Sequence, residues 1–302
     1  MSKQETTKIL ITGANGLLGS NLARFFSSKK NFDVFRTSLH SSPSGNCIPG
    51  DLQDNRFALD LIKRVNPQIV INTVGLVNLD RCEEDPACAR RINVDAAVNA
   101  ARAAGEGGAR FIHISTDHLF DGKRAMYSEE DTPAPVNVYG KTKLEAEKEV
   151  LRLAPQAVIV RTNFYGWSPP AHPQTFGEWV YNSLKNKAPL TLFTDYYFSP
   201  IEVTHLAEAL EEVALSYFQG VINIAGTERC SKYDFGMSLC KVFSLDSGCI
   251  TAGAMDPRAF KARRQKDLSL STDRFKRLFK KQLPSLKEGL LRFYETRKTG
   301  NG

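Results

Sequence analysis

The chain has 302 residues, 42% apolar and 24% charged, which is enough for a sizeable core and more than one structural region. With no long Gly/Ser, Gln or Pro tract, that balance argues against a disordered or fibrous class. The net charge of +7 thickens in the last third, including Lys261, Arg263, Arg264, Lys266, Arg274, Lys276, Arg277, Lys280 and Lys281. No aromatic-interleaved nucleic-acid module accompanies these charges. They read as a solvated basic face or as attraction for a small anion, ahead of a polyanion.

The polar start, Met1 to Lys8, leads directly into an apolar run and lacks the regions of a signal peptide, so no export is expected. Apolar runs such as Ile69–Val77 are interrupted by Asn72, Thr73 and Gly75, far short of the roughly 20 residues of a membrane span. Six cysteines show no CxxC pair and no zinc-like spacing with His. Reduced thiols, no metal site and a cytoplasmic location are therefore expected.

In chain order, strand-like runs fall at Lys8–Thr12, Asp33–Thr37, Cys47–Pro49, Ile69–Thr73, Arg110–Ser115 and Val158–Thr162. Helix patterns fall between them at Leu17–Ser28, Arg56–Val65, Pro86–Ala104 and Val138–Leu153. This alternation predicts an α/β fold with a parallel sheet and helical crossovers. After Asn163 the pattern loosens through the Pro- and aromatic-rich Trp167–Phe176. A helix at Phe176–Asn186, another at His205–Phe218, a strand at Gly220–Ala225 and a basic helical tail follow. A smaller, discontinuous lobe should begin in this region.

Between the first strand and helix lies Gly13-Ala14-Asn15-Gly16-Leu17-Leu18-Gly19, with GxxGxxG spacing. Glycines there permit a tight turn and close backbone approach, so a pyrophosphate can sit on free N–H groups at the helix start. An ordinary strand-to-helix turn is the bland alternative, and the position in the first βα unit favours nucleotide binding. The second strand ends at Arg36-Thr37-Ser38 without the acidic residue that would hold a ribose 2′-OH. Arg36 and Ser38 suit a 2′-phosphate, which favours NADP(H) over NAD. Asp51, before Leu52, can accept from an adenine amino group or cap the following helix. Thr73-Val74-Gly75 lets the chain pass close to a cofactor.

Ser115-Thr116-Asp117 ends the fifth long run, and Tyr139 and Lys143 stand at i,i+4 on the next helix. That spacing puts the phenol and ammonium on one face. A neighbouring ammonium favours phenolate and makes Tyr139 a usable general acid, while Thr116 can hydrogen-bond a substrate oxygen. Such a pair also decorates many amphipathic helices. His118 reads more simply as a satisfied residue under the Phe120-Asp121-Gly122 turn than as a catalyst, and His113 as structural.

The stretches ITGANGLLGSNL, NPQIVINTVGLVNLDRCEEDP, RINVDAA, FIHISTDHLFDG, YSEEDTPAPVNVYGKTKLEAE and VIVRTNFYG resemble the extended short-chain dehydrogenases/reductases. Together with SKYDFGMSLCKVF and ARRQKDLSLST they are similar to the dTDP-4-dehydrorhamnose reductase family over nearly the whole chain. The resemblance implies a Rossmann-type doubly wound sheet and catalysis by Thr116, Tyr139 and Lys143. It also implies that Lys143 holds the nicotinamide ribose, and that Asp117, His118, Phe164 and Arg264 contact substrate. The sequence departs from the family in carrying His118 for Tyr, Phe164 for Trp and Gln265 for Pro after Arg264.

The division expected is an NADP-binding domain at 1–165 and about 201–226, with a substrate-binding lobe at about 166–200 and 227–302. The leading functional expectation is NADPH-dependent reduction of a 4-keto nucleotide sugar. The alternative that the resemblance carries is a non-catalytic regulatory subunit of methionine adenosyltransferase, which keeps the same nucleotide turn and YGKTK segment. A related epimerase or dehydratase uses the same Tyr and Lys. The partners expected are a small nucleotide sugar, no nucleic acid and no membrane; a homodimer and a regulatory partner enzyme both stay open.

Overall fold

A computed structural model describes residues 6–40, 47–169 and 172–299. Met1–Glu5 of the polar start and residues 170 and 171 of the Pro-rich stretch lie outside the described residues. The elements begin β1 (Thr7–Thr12), α1 (Leu17–Ser27), β2 (Phe32–Ser38), β3 (Cys47–Pro49), α2 (Asn55–Val65) and β4 (Ile69–Asn72). Next come α3 (Leu79–Glu84), α4 (Pro86–Arg90), a π-helical turn at Arg91–Asp95, α5 (Ala96–Glu106), β5 (Arg110–Ile114), α6 (Val138–Leu153) and β6 (Val158–Arg161). The remainder holds β7 (Phe164–Tyr165), α7 (Phe176–Lys185), β8 (Leu190–Phe193), β9 (Tyr197–Phe198), β10 (Ile201–Glu202), α8 (Val203–Leu215) and β11 (Gly220–Asn223). It closes with β12 (Cys230–Ser231), α9 (Lys232–Phe243), β13 (Ile250–Gly253), α10 (Asp273–Phe279) and α11 (Leu286–Thr299).

Seven strands form one sheet in the order β11-β6-β5-β4-β1-β2-β3, with parallel pairing from β6 across to β3. This is the doubly wound order, which reverses direction between β1 and β4. Ile9, Leu10 and Ile11 of β1 are wholly buried, as a strand covered on both faces requires. The chain clusters into two compact units, one of residues 1–115, 137–160 and 210–221, the other of 116–136, 161–209 and 222–302.

In the first unit the alanine face of α5 (Ala97, Ala100, Ala101, Ala104) packs with Leu61, Ile62 and Val65 of α2 in one buried cluster. The helix expected at Pro86–Ala104 is present as one uninterrupted helical run, but it is not α-helical throughout: α4 passes into the π-helical turn before α5 starts. Asn93 supplies the physical reason. It sits in that turn, fully buried, accepting from Leu76 N at 2.7 Å and donating to Thr142 Oγ1 at 3.0 Å. A widened turn of this kind aims one side chain inward without ending the helix. Asp54, not Asp51, caps α2 by accepting from Arg56 N at 2.8 Å.

The second unit has an aromatic core in which Tyr165, Phe198, Phe235, Phe243 and Phe293 are buried together. Short pairs β7–β10, β8–β13 and β9–β12 brace it, the last antiparallel. Capping boxes at Thr175 and Ser231 start α7 and α9. All six cysteines are free. Among the described residues no helix is long and apolar enough to cross a membrane, and no cluster of His, Cys, Asp or Glu could hold a metal ion.

Candidate active site

In the first unit a cleft of about 300 Å³ opens at the carboxyl ends of β1, β2 and β4. Its lining includes Gly13, Gly16, Ser38, Asp51, Leu52, Thr73, Val74 and Gly75 from the residues singled out in the sequence. A methyl group on Gly19 would stand 2.4 Å from the Gly13 carbonyl oxygen, and one on Gly13, whose φ is +67°, 2.8 Å from Thr73 Oγ1. The turn therefore needs glycine at both places. Thr73 closes the cleft floor by donating from Oγ1 to Thr12 O at 2.6 Å.

Leu17, Leu18 and Gly19 open α1 beside the cleft without lining it, and the Leu18 side chain is buried in the core. Any part they play toward a ligand falls to their backbone N–H groups at the helix start. Arg36 lies half-buried in β2, in register with Ile11 and Cys47, and is likewise outside the lining. The Asp51 carboxylate accepts from Gln53 N at 2.9 Å and lines the cleft. Asn15, Thr37, Leu39, Gly50, Gln53, Ile92 and Ala96 complete the lining; the sequence offers no spacing signal for them.

Tyr139 and Lys143 are both buried on α6, which Asn137 caps by accepting from Gly140 N at 2.8 Å. Lys143 Nζ donates to Ile114 O at 2.7 Å and lies 3.1 Å from His113 Nε2. Burial lowers the Lys143 pKa from 10.5 to about 8, against the opposing pull of Glu147. His113 is wholly buried, and burial followed by the Lys143 charge pushes its pKa well below the ordinary imidazole value. A histidine read as merely structural thus touches the buried lysine directly.

The second unit begins at Thr116. Its hydroxyl donates to Asp117 Oδ1 at 3.1 Å and accepts from His118 N at 3.2 Å. To donate to any other oxygen it must turn away from Asp117. Asp117 is buried and also accepts from Asn163 Nδ2 at 2.6 Å. His118 is buried, its pKa lowered chiefly by that burial and raised somewhat by Asp117. Gln265 Nε2 donates to the carbonyls of His118 and Phe120, at 3.2 and 3.0 Å. That amide bond is what Gln265 supplies where the family has proline, which has a carbonyl but no side-chain donor.

Phe164 is half-buried in β7, in register with Ile201. Arg264 is half-buried with its guanidinium 4.8 Å from the Phe260 ring centroid, while Lys266 pairs with Asp195 at 2.9 Å. Lys232, which lies in the SKYDFGMSLCKVF stretch but is not singled out there as a site residue, places Nζ 3.4 Å from the Phe198 ring centroid and 4.0 Å from that of Phe176. Burial pulls its pKa to about 8, and Asp117 opposes that shift.

A doubly wound sheet with a glycine turn at its switch point, followed by an STD strand end and a buried Tyr–Lys pair, defines a Rossmann-type protein of the extended short-chain dehydrogenase/reductase kind. The family model described as RmlD substrate binding domain matches residues 7–298, and the chain belongs to that family, the dTDP-4-dehydrorhamnose reductase family. It is similar to a probable low-salt glycan biosynthesis reductase of Haloferax volcanii, 32% identical and covering 81% of this chain and 83% of that protein. Methionine adenosyltransferase 2 subunit beta of Pongo abelii is 29% identical, covering 80% of this chain and 73% of that protein. The crystal structure of dTDP-4-dehydrorhamnose reductase from Bacillus anthracis in complex with NADP superposes with a TM-score of 0.87 at 26% identity. It covers 98% of this chain and 100% of that one.

Proposed function

We propose that this chain is an NADPH-dependent reductase of a 4-keto nucleotide sugar, with Thr116, Tyr139 and Lys143 as its catalytic set. The observation that carries the reading is the buried Lys143, held by Ile114 O at the end of β5 and one helical turn from Tyr139 on α6. The residues present fit the cofactor. The cradle at Gly13 and Gly19 would be filled by a Cβ, leaving backbone N–H groups for a pyrophosphate. Ser38 with Arg36 suits a 2′-phosphate, and the Asp51 carboxylate an adenine amino group. Leu17 and Leu18 at the helix start, Leu52, and Thr73 to Gly75 serve by backbone and close packing. When bound, NADPH supplies the hydride that goes to the carbonyl carbon.

Tyr139 gives its proton to the carbonyl oxygen, which completes the alcohol, and the Lys143 charge stabilises the phenolate left behind. Thr116 donates a hydrogen bond to the same oxygen. In the substrate lobe, Asp117 and His118 orient the sugar, Phe164 packs on its ring and Arg264 meets the diphosphate. Support for NADP and for a nucleotide sugar comes from the Bacillus anthracis reductase and from family membership. A screen of nucleotide-sugar ketones for loss of NADPH absorbance tests the reading, and turnover of at least one is expected.

A second reading, a regulatory subunit of methionine adenosyltransferase type, is favoured by the similarity to the Pongo abelii subunit. It takes precedence if no ketone oxidises NADPH and a methionine adenosyltransferase catalytic subunit binds the chain in titration calorimetry.

A further inference from the structure

Lys143 is tied to a buried chain of side chains that reaches back to β1. Its Nζ stands 3.1 Å from His113 Nε2, His113 Nδ1 stands 2.9 Å from Asn72 Nδ2, and Asn72 Oδ1 accepts from Thr12 Oγ1 at 2.6 Å. Thr12, Asn72, His113 and Lys143 are all buried. The direction of the amide is fixed by a group that can only donate: Val74 N–H reaches Asn72 Oδ1 at 3.3 Å. Asn72 therefore turns its NH₂ toward the imidazole, and Nδ1 must accept. A neutral imidazole carries one proton, so that proton sits on Nε2 and points at Lys143 Nζ.

An N–H aimed at a lysine nitrogen suits the lone pair of an amine and opposes an ammonium. The remaining groups around Nζ divide between the two forms. Ile114 O, from β5, accepts from either, and Glu147, from α6, favours the charged one. Tyr139, one turn away on α6, is the other titratable group on that helix face.

We propose that His113 is a positioning residue for Lys143: its ring, locked in the Nε2–H form by Asn72 and Thr12, fixes the Nζ direction and keeps the neutral amine accessible. The inference rests on the reading of Lys143 as part of the catalytic set. It explains why a histidine stands inside a central strand among apolar neighbours, where an apolar residue would pack at no polar cost.

The test uses the whole chain without added ligand, so it does not depend on finding a substrate. In protein labelled with ¹⁵N-histidine, the His113 ring should show a bare Nδ1 and a protonated Nε2. Its signals are identified by their loss in His113→Phe. In protein labelled with ¹³C at lysine Cε, the Lys143 titration midpoint should move upward in His113→Phe by roughly half to one unit, the size of one net hydrogen bond. A ring protonated at Nδ1 overturns the proposal, as does a midpoint that stays put or falls. If His113→Phe does not fold, the His113 signals are identified by elimination, through single substitutions of His40, His118, His172 and His205, and the ring measurement on the unaltered protein decides alone. Failure of every ketone to oxidise NADPH would count against the reductase reading and leave both NMR readouts standing.

Discussion

On the proposed reading, the two units of the chain achieve recognition by different means. In the first, the residues assigned to function form short local devices: a seven-residue glycine turn and a Tyr–Lys pair one helical turn apart, both beside buried parallel strands. In the second, polar groups meet from remote parts of the chain. Asp117 gathers Asn163 from 46 residues away, and Gln265 reaches back 147 residues to the His118 carbonyl. A Cβ at Gly13 or Gly19 would clash with the backbone or with Thr73, whereas the proposed substrate cluster holds His118, Phe164 and Gln265, the positions at which this sequence departs from the pattern it resembles.

The largest effect expected is in the first unit. Tyr139→Phe should lower the rate of NADPH oxidation by about 10²–10⁴-fold, with fold and NADPH affinity nearly unchanged. A rate within twofold of the unaltered protein would remove the phenol from the mechanism. Arg36→Ala comes next: titration calorimetry should show NADPH binding weakened by roughly 1.5–3 kcal/mol, the worth of a charge-assisted bond, with NADH binding unmoved. Because Arg36 lies outside the cleft lining, equal loss for both cofactors would leave Ser38 as the phosphate ligand.

The second unit should respond more gently. Arg264→Ala is expected to raise KM for a nucleotide sugar with a smaller change in kcat, the signature of lost ground-state binding. An effect on kcat alone would argue that Arg264 acts through the His118 and Tyr196 neighbourhood, where its charge is felt.

The smallest effect compares the units directly. Lys143 in one and Lys232 in the other are each lowered from 10.5 to about 8 by burial. Between those pH values the unfolded chain binds protons that the folded chain has released, so stability should rise with pH across that window. Below it both lysines are charged in either state and contribute no slope. Lys143→Met and Lys232→Met should each flatten part of the rise, read as the urea midpoint against pH.

What the sequence made legible follows from distance along the chain. The glycine turn, the i,i+4 pair and most of the alternating elements depend on neighbours within one or two turns, so spacing alone exposes them. The contacts of His113 with Lys143 and Asn72 span 30 and 41 residues, and that of Asn72 with Thr12 spans 60. Strand order, not spacing, brings them together, and a lone His in an apolar run carries no mark of it. The Pro86–Ala104 pattern reads as α-helical throughout because a π-helical turn keeps helical periodicity on either side of Asn93. Asp51 is the cap expected from the sequence, and the bond from Arg56 N assigns that place to Asp54 instead.

Hydride transfer from cofactor to a sugar carbonyl can be followed with NADPH deuterated at the transferable C4 position and dTDP-4-dehydrorhamnose as the probe. One deuterium is expected on the reduced sugar carbon, with NADP⁺ formed in equal amount and both lost in Tyr139→Phe. Unchanged NADPH and no deuterium in the sugar, from a folded chain that binds both molecules, would contradict the proposed reaction.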